Sequence, residues 1–249
     1  MKSGVFWGLL LPMREGRIVI AVDGLAGSGK TTLSRLLAAR LGYVHFSTGG
    51  IYRALGVLAI RSGVSYDDVP ALLALLKQHQ ITLILNAQGS SEVLIDGQPV
   101  EPAELQSPPV SEAASSCSRH ADIRTALVTI QREAYQGHNL VAEGRDMGTV
   151  IFPDSPLKFF IEVATEIQVD RRFRQFIADK PGMSENELNQ LKSEMEREIR
   201  ERNRRDAERE VAPTLPAADA IIVDNSTQTL TDVLDSMYDA ALKRGLGPS

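Results

Sequence analysis

The run Gly24-Leu-Ala-Gly-Ser-Gly29-Lys30-Thr31 leaves this chain few folds to adopt. Its spacing is that of a phosphate-binding loop: Gly, four residues, then Gly-Lys-Ser/Thr. The flanks supply the context that the loop requires. Ile18–Val22 reads as a strand buried on both faces of a parallel sheet, while leucines 33, 36, 37 and 41 recur at helical spacing until Gly42. Gly24, Gly27 and Gly29 allow backbone N–H groups to curl around a polyphosphate, assisted by Ser28 and by the helix N-terminus. Lys30, expected to face solvent, neutralises phosphate charge, and Thr31, followed by Thr32, offers a hydroxyl to a divalent cation.

Further strand and helix patterns alternate along the chain. A strand is expected at Tyr43–Phe46 and helices at Gly50–Arg61 and Asp67–His79, which predicts a parallel sheet. Ile81–Leu85 and Glu92–Ile95, with Asp96-Gly97 as a hairpin signal, then predict an antiparallel insert. Helical patterning resumes over Ser111–Gln136. Strands follow at Asn139–Ala142, Leu157–Val163 and Ala220–Asp224, and a closing helix at about Thr231–Lys243. A charged helical tract fills Asp170–Glu210, interrupted by Pro181-Gly182.

Composition excludes several classes. The 249 residues carry a net charge of −5 at pH 7, which argues against general binding to nucleic acid or anionic membranes. The apolar stretch Val5–Leu11 is too short to span a bilayer and no small-residue cleavage site follows it. Residues 1–16 are therefore read as an N-terminal extension, with Met13 as a possible first residue. A single cysteine, Cys117, cannot form an intrachain disulfide, so a reducing, cytoplasmic setting is expected. Cys117 reads as a packing residue, and His45, His79, His120 and His138 are given no catalytic role. Asn225-Ser226-Thr227 is a glycosylation pattern without meaning unless the chain is secreted.

Three further segments carry cations. Ser47-Thr48-Gly-Gly-Ile-Tyr-Arg53 can gather a hydroxyl, helix-end amides and a guanidinium around a second anion, or be an ordinary helix cap. Glu143-Gly-Arg145-Asp146 follows a strand at the sheet edge where open α/β sheets bind ligands; the alternative is a structural ion pair. Six arginines at 197, 200, 202, 204, 205 and 209 alternate with acids, giving either a solvated helix or a lid that closes over a transferring phosphoryl group.

Four segments resemble the cytidylate kinase family of nucleoside monophosphate kinases: Gly24–Thr32, Ser47–Arg53, Glu143–Pro153 and Glu198–Pro216. The resemblance spans Arg17 to about Leu242. It implies a P-loop α/β/α fold of three layers with about five parallel strands, an antiparallel insert for the monophosphate and a helical lid. The corresponding division is core 17–64, insert 65–110, core 111–169, lid 170–212 and core 213–249. The implied reaction is ATP-dependent, Mg²⁺-assisted phosphorylation of CMP and dCMP in a monomer. By the same resemblance Thr48, Arg53 and Arg145 hold the acceptor phosphate, while Ser115, Arg124 and Asp146 read cytosine. Arg202 and Asp206 contact the sugar, and Arg209 is a lid cation beside the transferring group. Lys30, Arg145 and Arg209 are the catalytic residues it implies, and Thr31 the metal ligand.

Three positions depart from the family pattern. Ser47 stands where Asp is usual, Leu25 where Pro is frequent and Glu143 where Asp is common. The alternatives are a kinase preferring UMP or AMP, and a weakened, nucleotide-binding regulatory relative. The adenine-side Gly-Phe-Pro-Arg and the guanine-side Asn-Lys-x-Asp motifs are absent from the sequence.

Overall fold

A computed structural model describes residues 16–85, 91–177, 183–209 and 211–248. The first fifteen residues, which contain most of the proposed N-terminal extension, and the Pro181-Gly182 interruption lie outside the described residues.

Strand β1 (Val19–Gly24) leads through the glycine loop into α1 (Lys30–Leu41). Gly42 closes α1 in the left-handed conformation, its N–H reaching the carbonyls of Ala38 and Ala39. Next come β2 (Val44–Ser47), α2 (Gly49–Arg61) and α3 (Val69–Gln78), the last capped by the Asp68 carboxylate accepting from the Ala71 N–H. Strands β3 (Ile81–Leu85), β4 (Ser91–Ile95) and β5 (Gln98–Pro99) form a separate antiparallel sheet. Asp96 and Gly97 both have positive φ in the β4–β5 turn, as the Asp-Gly signal anticipates.

The tract expected to be helical from Ser111 to Gln136 is broken. It forms α5 (Pro108–Cys117) and α6 (Ala121–Glu133), after a short α4 (Pro102–Leu105). His120 is extended at the break and its Nε2 pairs with the Tyr66 carbonyl. Apolar periodicity runs through the break because Cys117, Ile123 and Leu127 all enter the same core.

Strand β6 (Leu140–Glu143) is followed by a π-helix at Met147–Ile151, which periodicity did not foretell. Then come β7 (Leu157–Glu162), the helix pair α7 (Thr165–Ile177) and α8 (Glu185–Ala207), β8 (Ile221–Asp224) and α9 (Leu230–Lys243). Five strands build one parallel sheet in the order β2-β6-β1-β7-β8. The chain leaves β1 in one direction for β2 and later returns to place β7 and β8 on the other side. Ligand sites in such sheets lie at the carboxyl ends of the strands flanking that reversal, here β1 and β6.

Side-chain alternation along β1 divides the core. Val19 and Ala21 face a cluster with α2, α3, α5 and α6, whereas Ile20 and Val22 face α1 and α9. The inner face of the antiparallel sheet, Ile81, Leu83, Val93 and Ile95, joins the first cluster and has no core of its own. The antiparallel sheet thereby packs on α2, whose buried side chains share the first cluster with β1.

Candidate active site

The glycine loop wraps the start of α1. Gly24, Gly27 and Gly29 all adopt positive φ, and Gly29 is the helix N-cap. A Cβ on Gly24 would lie 2.5 Å from the Ile161 carbonyl oxygen, which is main chain and cannot swing aside. Gly24→Ala is therefore expected to cost about 1–3 kcal/mol of stability, read as a lowered thermal midpoint, because strain and overlap act at the same residue.

Lys30 differs from expectation: it is only 8% exposed. Its Nζ donates to the Leu25 carbonyl oxygen at 3.1 Å. Burial, with the Arg145 charge beside it, lowers its pKa to about 7. Ser28 is fully buried and its Oγ has no hydrogen-bond partner. Thr32 is exposed on the first turn of α1.

Thr31 Oγ1 donates to both carboxylate oxygens of Glu143 at 2.9 Å. Glu143, at the carboxyl end of β6, is 3% exposed. His45 Nε2 lies 3.8 Å from its carboxylate, an imidazole whose pKa burial lowers. A buried carboxylate beside a hydroxyl is a set of hard oxygen donors that would suit Mg²⁺. Among the described residues no three His, Cys, Asp or Glu side chains converge as a cage. Glu143 was legible only as a mild departure, since sequence does not reveal which side chain faces Thr31.

Thr48 holds the N-cap position of α2; its N–H and its Oγ1 both donate to the Glu143 carbonyl oxygen at 3.1 Å. Arg53 lies one turn further along α2, its pKa lowered by burial. Ser47 ends β2 in register with Glu143 and is partly buried. Arg145 Nε donates to Asp206 Oδ2 at 3.1 Å, which ties the β6 loop to α8. Burial alone would raise the Asp206 pKa, but Arg145, Arg209 and Arg202 outweigh it and hold the carboxyl below its ordinary value. Arg209 Nη2 donates to Thr214 Oγ1 at 2.9 Å. Burial, with Arg145 nearby, lowers the Arg202 pKa to about 10, and its buried Nε has no partner. Lys30, Arg53, Arg145, Arg202 and Arg209 thus form a cationic cluster answered by only a few acids, the electrostatic form of a polyphosphate site.

Arg124 and Asp146 form an ion pair with side chains 6% and 4% exposed. Arg124 Nη1 also donates to the Ser118 carbonyl oxygen at 3.1 Å, and the guanidinium lies 5.5 Å over the Tyr52 ring. Its Nε is buried without a partner. Burial pushes the Tyr52 phenol up to about 12. Ser115 sits on α5, partly buried, and its side chain makes no hydrogen bond to the pair. Cys117, two residues on, is buried and its thiol is raised to about 11 by burial, in keeping with packing.

Residues not singled out from the sequence complete the site. Asp23, 3% exposed, accepts from the N–H groups of Met147 and Gly148 at 2.8 Å, one to each oxygen, and so holds the loop bearing Arg145 and Asp146 against β1. Burial raises its pKa to about 7. Gln168 on α7 approaches Gly27 and accepts from Asn203 of α8 at 3.0 Å. A cleft of about 420 Å³ opens beside the loop, lined by Leu25, Glu162, Val163, Asp224 and Ser226 among others.

The family model described as cytidylate kinase matches residues 20–243. Curated proteins named cytidylate kinase are similar over most of the chain. One from Pelotomaculum thermopropionicum is 39% identical over 86% of this chain and 92% of its own length. Another from Caldicellulosiruptor saccharolyticus is 37% identical over 91% of this chain and 96% of its own. A third from Thermotoga maritima is 36% identical, covering 90% and 97% respectively.

Proposed function

The chain belongs to the cytidylate kinase family, and from that premise we propose that it transfers the γ-phosphoryl group of ATP to CMP and dCMP by direct in-line displacement. An oxygen of the acceptor phosphate forms a bond to the γ-phosphorus as the bond to the β-bridging oxygen breaks, giving ADP and the nucleoside diphosphate. The nucleophile is already anionic, so no general base is needed; positioning and charge neutralisation carry the rate.

In this reading the N–H groups of Gly24–Thr32 and Lys30 hold the donor phosphates, and the cleft beside Leu25 leaves room for the rest of the donor. Thr48, Arg53 and Arg145 hold the acceptor phosphate opposite them. Arg209 neutralises charge on the transferring group, while Arg202 and Asp206 meet the sugar. Thr31 and Glu143 would hold Mg²⁺, which offsets charge on the β- and γ-phosphate oxygens when bound.

The observation that carries the choice of base is the Arg124–Asp146 pair with its unpartnered Arg124 Nε. A carboxylate facing the exocyclic amine and a guanidinium facing N3 and O2 complement cytosine, whereas uracil replaces that amine with an acceptor. Ser115 is assigned to the same base. No described helix is long and apolar enough to cross a membrane. A cytoplasmic monomer acting on small molecules, with no nucleic-acid partner, completes the proposal.

The test is ADP formation from ATP and Mg²⁺ with CMP, dCMP, UMP, AMP and GMP offered separately at one concentration. Turnover concentrated in CMP and dCMP is the expected result. Best turnover with AMP or UMP would overturn the assignment of Arg124 and Asp146, and no turnover with any acceptor would overturn the reaction.

A further inference from the structure

Asn225, immediately after β8, is 4% exposed although it is an amide in a loop. Its Nδ2 donates to the Ser28 carbonyl oxygen at 2.7 Å, across 197 positions of sequence. The same Nδ2 occupies the space over Gly29, where an added Cβ would come within 2.6 Å of it. The Asn225 main chain is anchored twice: its N–H donates to the Glu162 carbonyl oxygen at 2.9 Å and its carbonyl oxygen accepts from Arg171 Nη2 of α7 at 2.8 Å. Next to it, Ser226 Oγ accepts from the Ala164 N–H at 2.9 Å, just before α7 begins.

From this geometry we infer that Asn225 is a positioning residue for the donor phosphates, linking helix α7 to the glycine loop. The physical reason lies in the Ser28–Gly29 peptide. It is trans, so its N–H points opposite to its C=O. Fixing the carbonyl on Asn225 therefore fixes the Gly29 N–H toward the other side of the loop, away from β8. An oriented N–H at a helix N-terminus is a phosphate ligand whose reorientation cost is met in folding rather than in binding. Arg171 enters as the tether of Asn225, so this residue joins α7 to the Ser28–Gly29 peptide, beside the separate approach of Gln168 to Gly27.

The inference rests on the reading of the glycine loop as the donor site, and the test separates the two. Binding of a non-hydrolysable ATP analogue with Mg²⁺, and separately of CMP, is measured by calorimetry for the wild type, Asn225→Ala, Asn225→Ser, Arg171→Ala and the Asn225→Ala/Arg171→Ala double variant. Both Asn225 variants are expected to bind the analogue about tenfold more weakly, as befits one lost oriented donor to a charged group, with CMP affinity unchanged within about twofold, inside the range of an untouched site. Arg171→Ala is expected to weaken the analogue by a smaller factor, and the double variant to be no worse than Asn225→Ala, because the two act in series. Asn225→Ser keeps a polar group in the buried position and carries the comparison should Asn225→Ala fail to fold. Unchanged analogue affinity in the folded Asn225 variants, or equal weakening of CMP, overturns the positioning role. Factors that multiply in the double variant overturn the link to α7. A wild type that does not bind the analogue overturns the donor-site reading itself.

Discussion

Lys30→Ala is expected to lower kcat by about 10²–10³-fold while leaving the fold intact, the range seen when one preorganised charge-stabilising donor is removed. The lysine is buried, and its pKa of about 7 reflects that burial first and the Arg145 and Arg202 charges after it, with Glu143 and Asp206 acting the other way. A triphosphate reverses the balance by bringing compensating negative charge. In the free enzyme the proton leaves as pH rises through about 7, so kcat/KM for ATP should fall above that pH. The stability term has the opposite sense. Between the folded value of about 7 and the ordinary value of 10.5, the unfolded chain binds more protons, and this residue contributes stability that increases with pH. Lys30→Ala should abolish that component in urea titrations run from pH 7 to 10. A variant with near wild-type turnover, or one that no longer folds, would contradict this account.

The second large effect belongs to Asp146. Asp146→Ala strands the Arg124 guanidinium in a site where the two side chains are 6% and 4% exposed, and is expected to cost about 3–5 kcal/mol in urea unfolding. The KM for CMP should rise far more than the KM for ATP. Removing both charges separates the two roles: Asp146→Ala with Arg124→Leu should recover most of the stability and none of the CMP use. Equal damage to both substrates would make Asp146 a structural residue alone.

Much of this site is legible in the chain because its parts are local. A strand, a glycine turn and a leucine-spaced helix need only neighbouring residues to be recognised, and the caps at Asp68 and Gly42 follow from the same short-range rules. The break at Ser118–His120 was hidden because apolar spacing continues across it toward one core. Arg124 and Asp146 were assigned to one site from a resemblance, but nothing local shows that their side chains pair. The surroundings of Lys30 were misjudged for a related reason: the charges that bear on it, Arg145, Glu143 and Arg202, come from more than a hundred residues away.

Asn225 is the sharpest case. In sequence it is one polar residue in a glycosylation pattern, yet in space its amide grips the glycine loop. The chain by itself determined the phosphate loop, the alternation of strands and helices, the antiparallel insert and the cationic segments, since each is written in backbone preference or side-chain period over a few residues. Tertiary structure alone decided which strand lies beside β1, that Asp23 would hold the Met147 and Gly148 amides, that Glu143 would face Thr31, and that Asn225 would meet Ser28. Those contacts join distant stretches of chain, and only the packing of a shared core specifies which distant groups become neighbours.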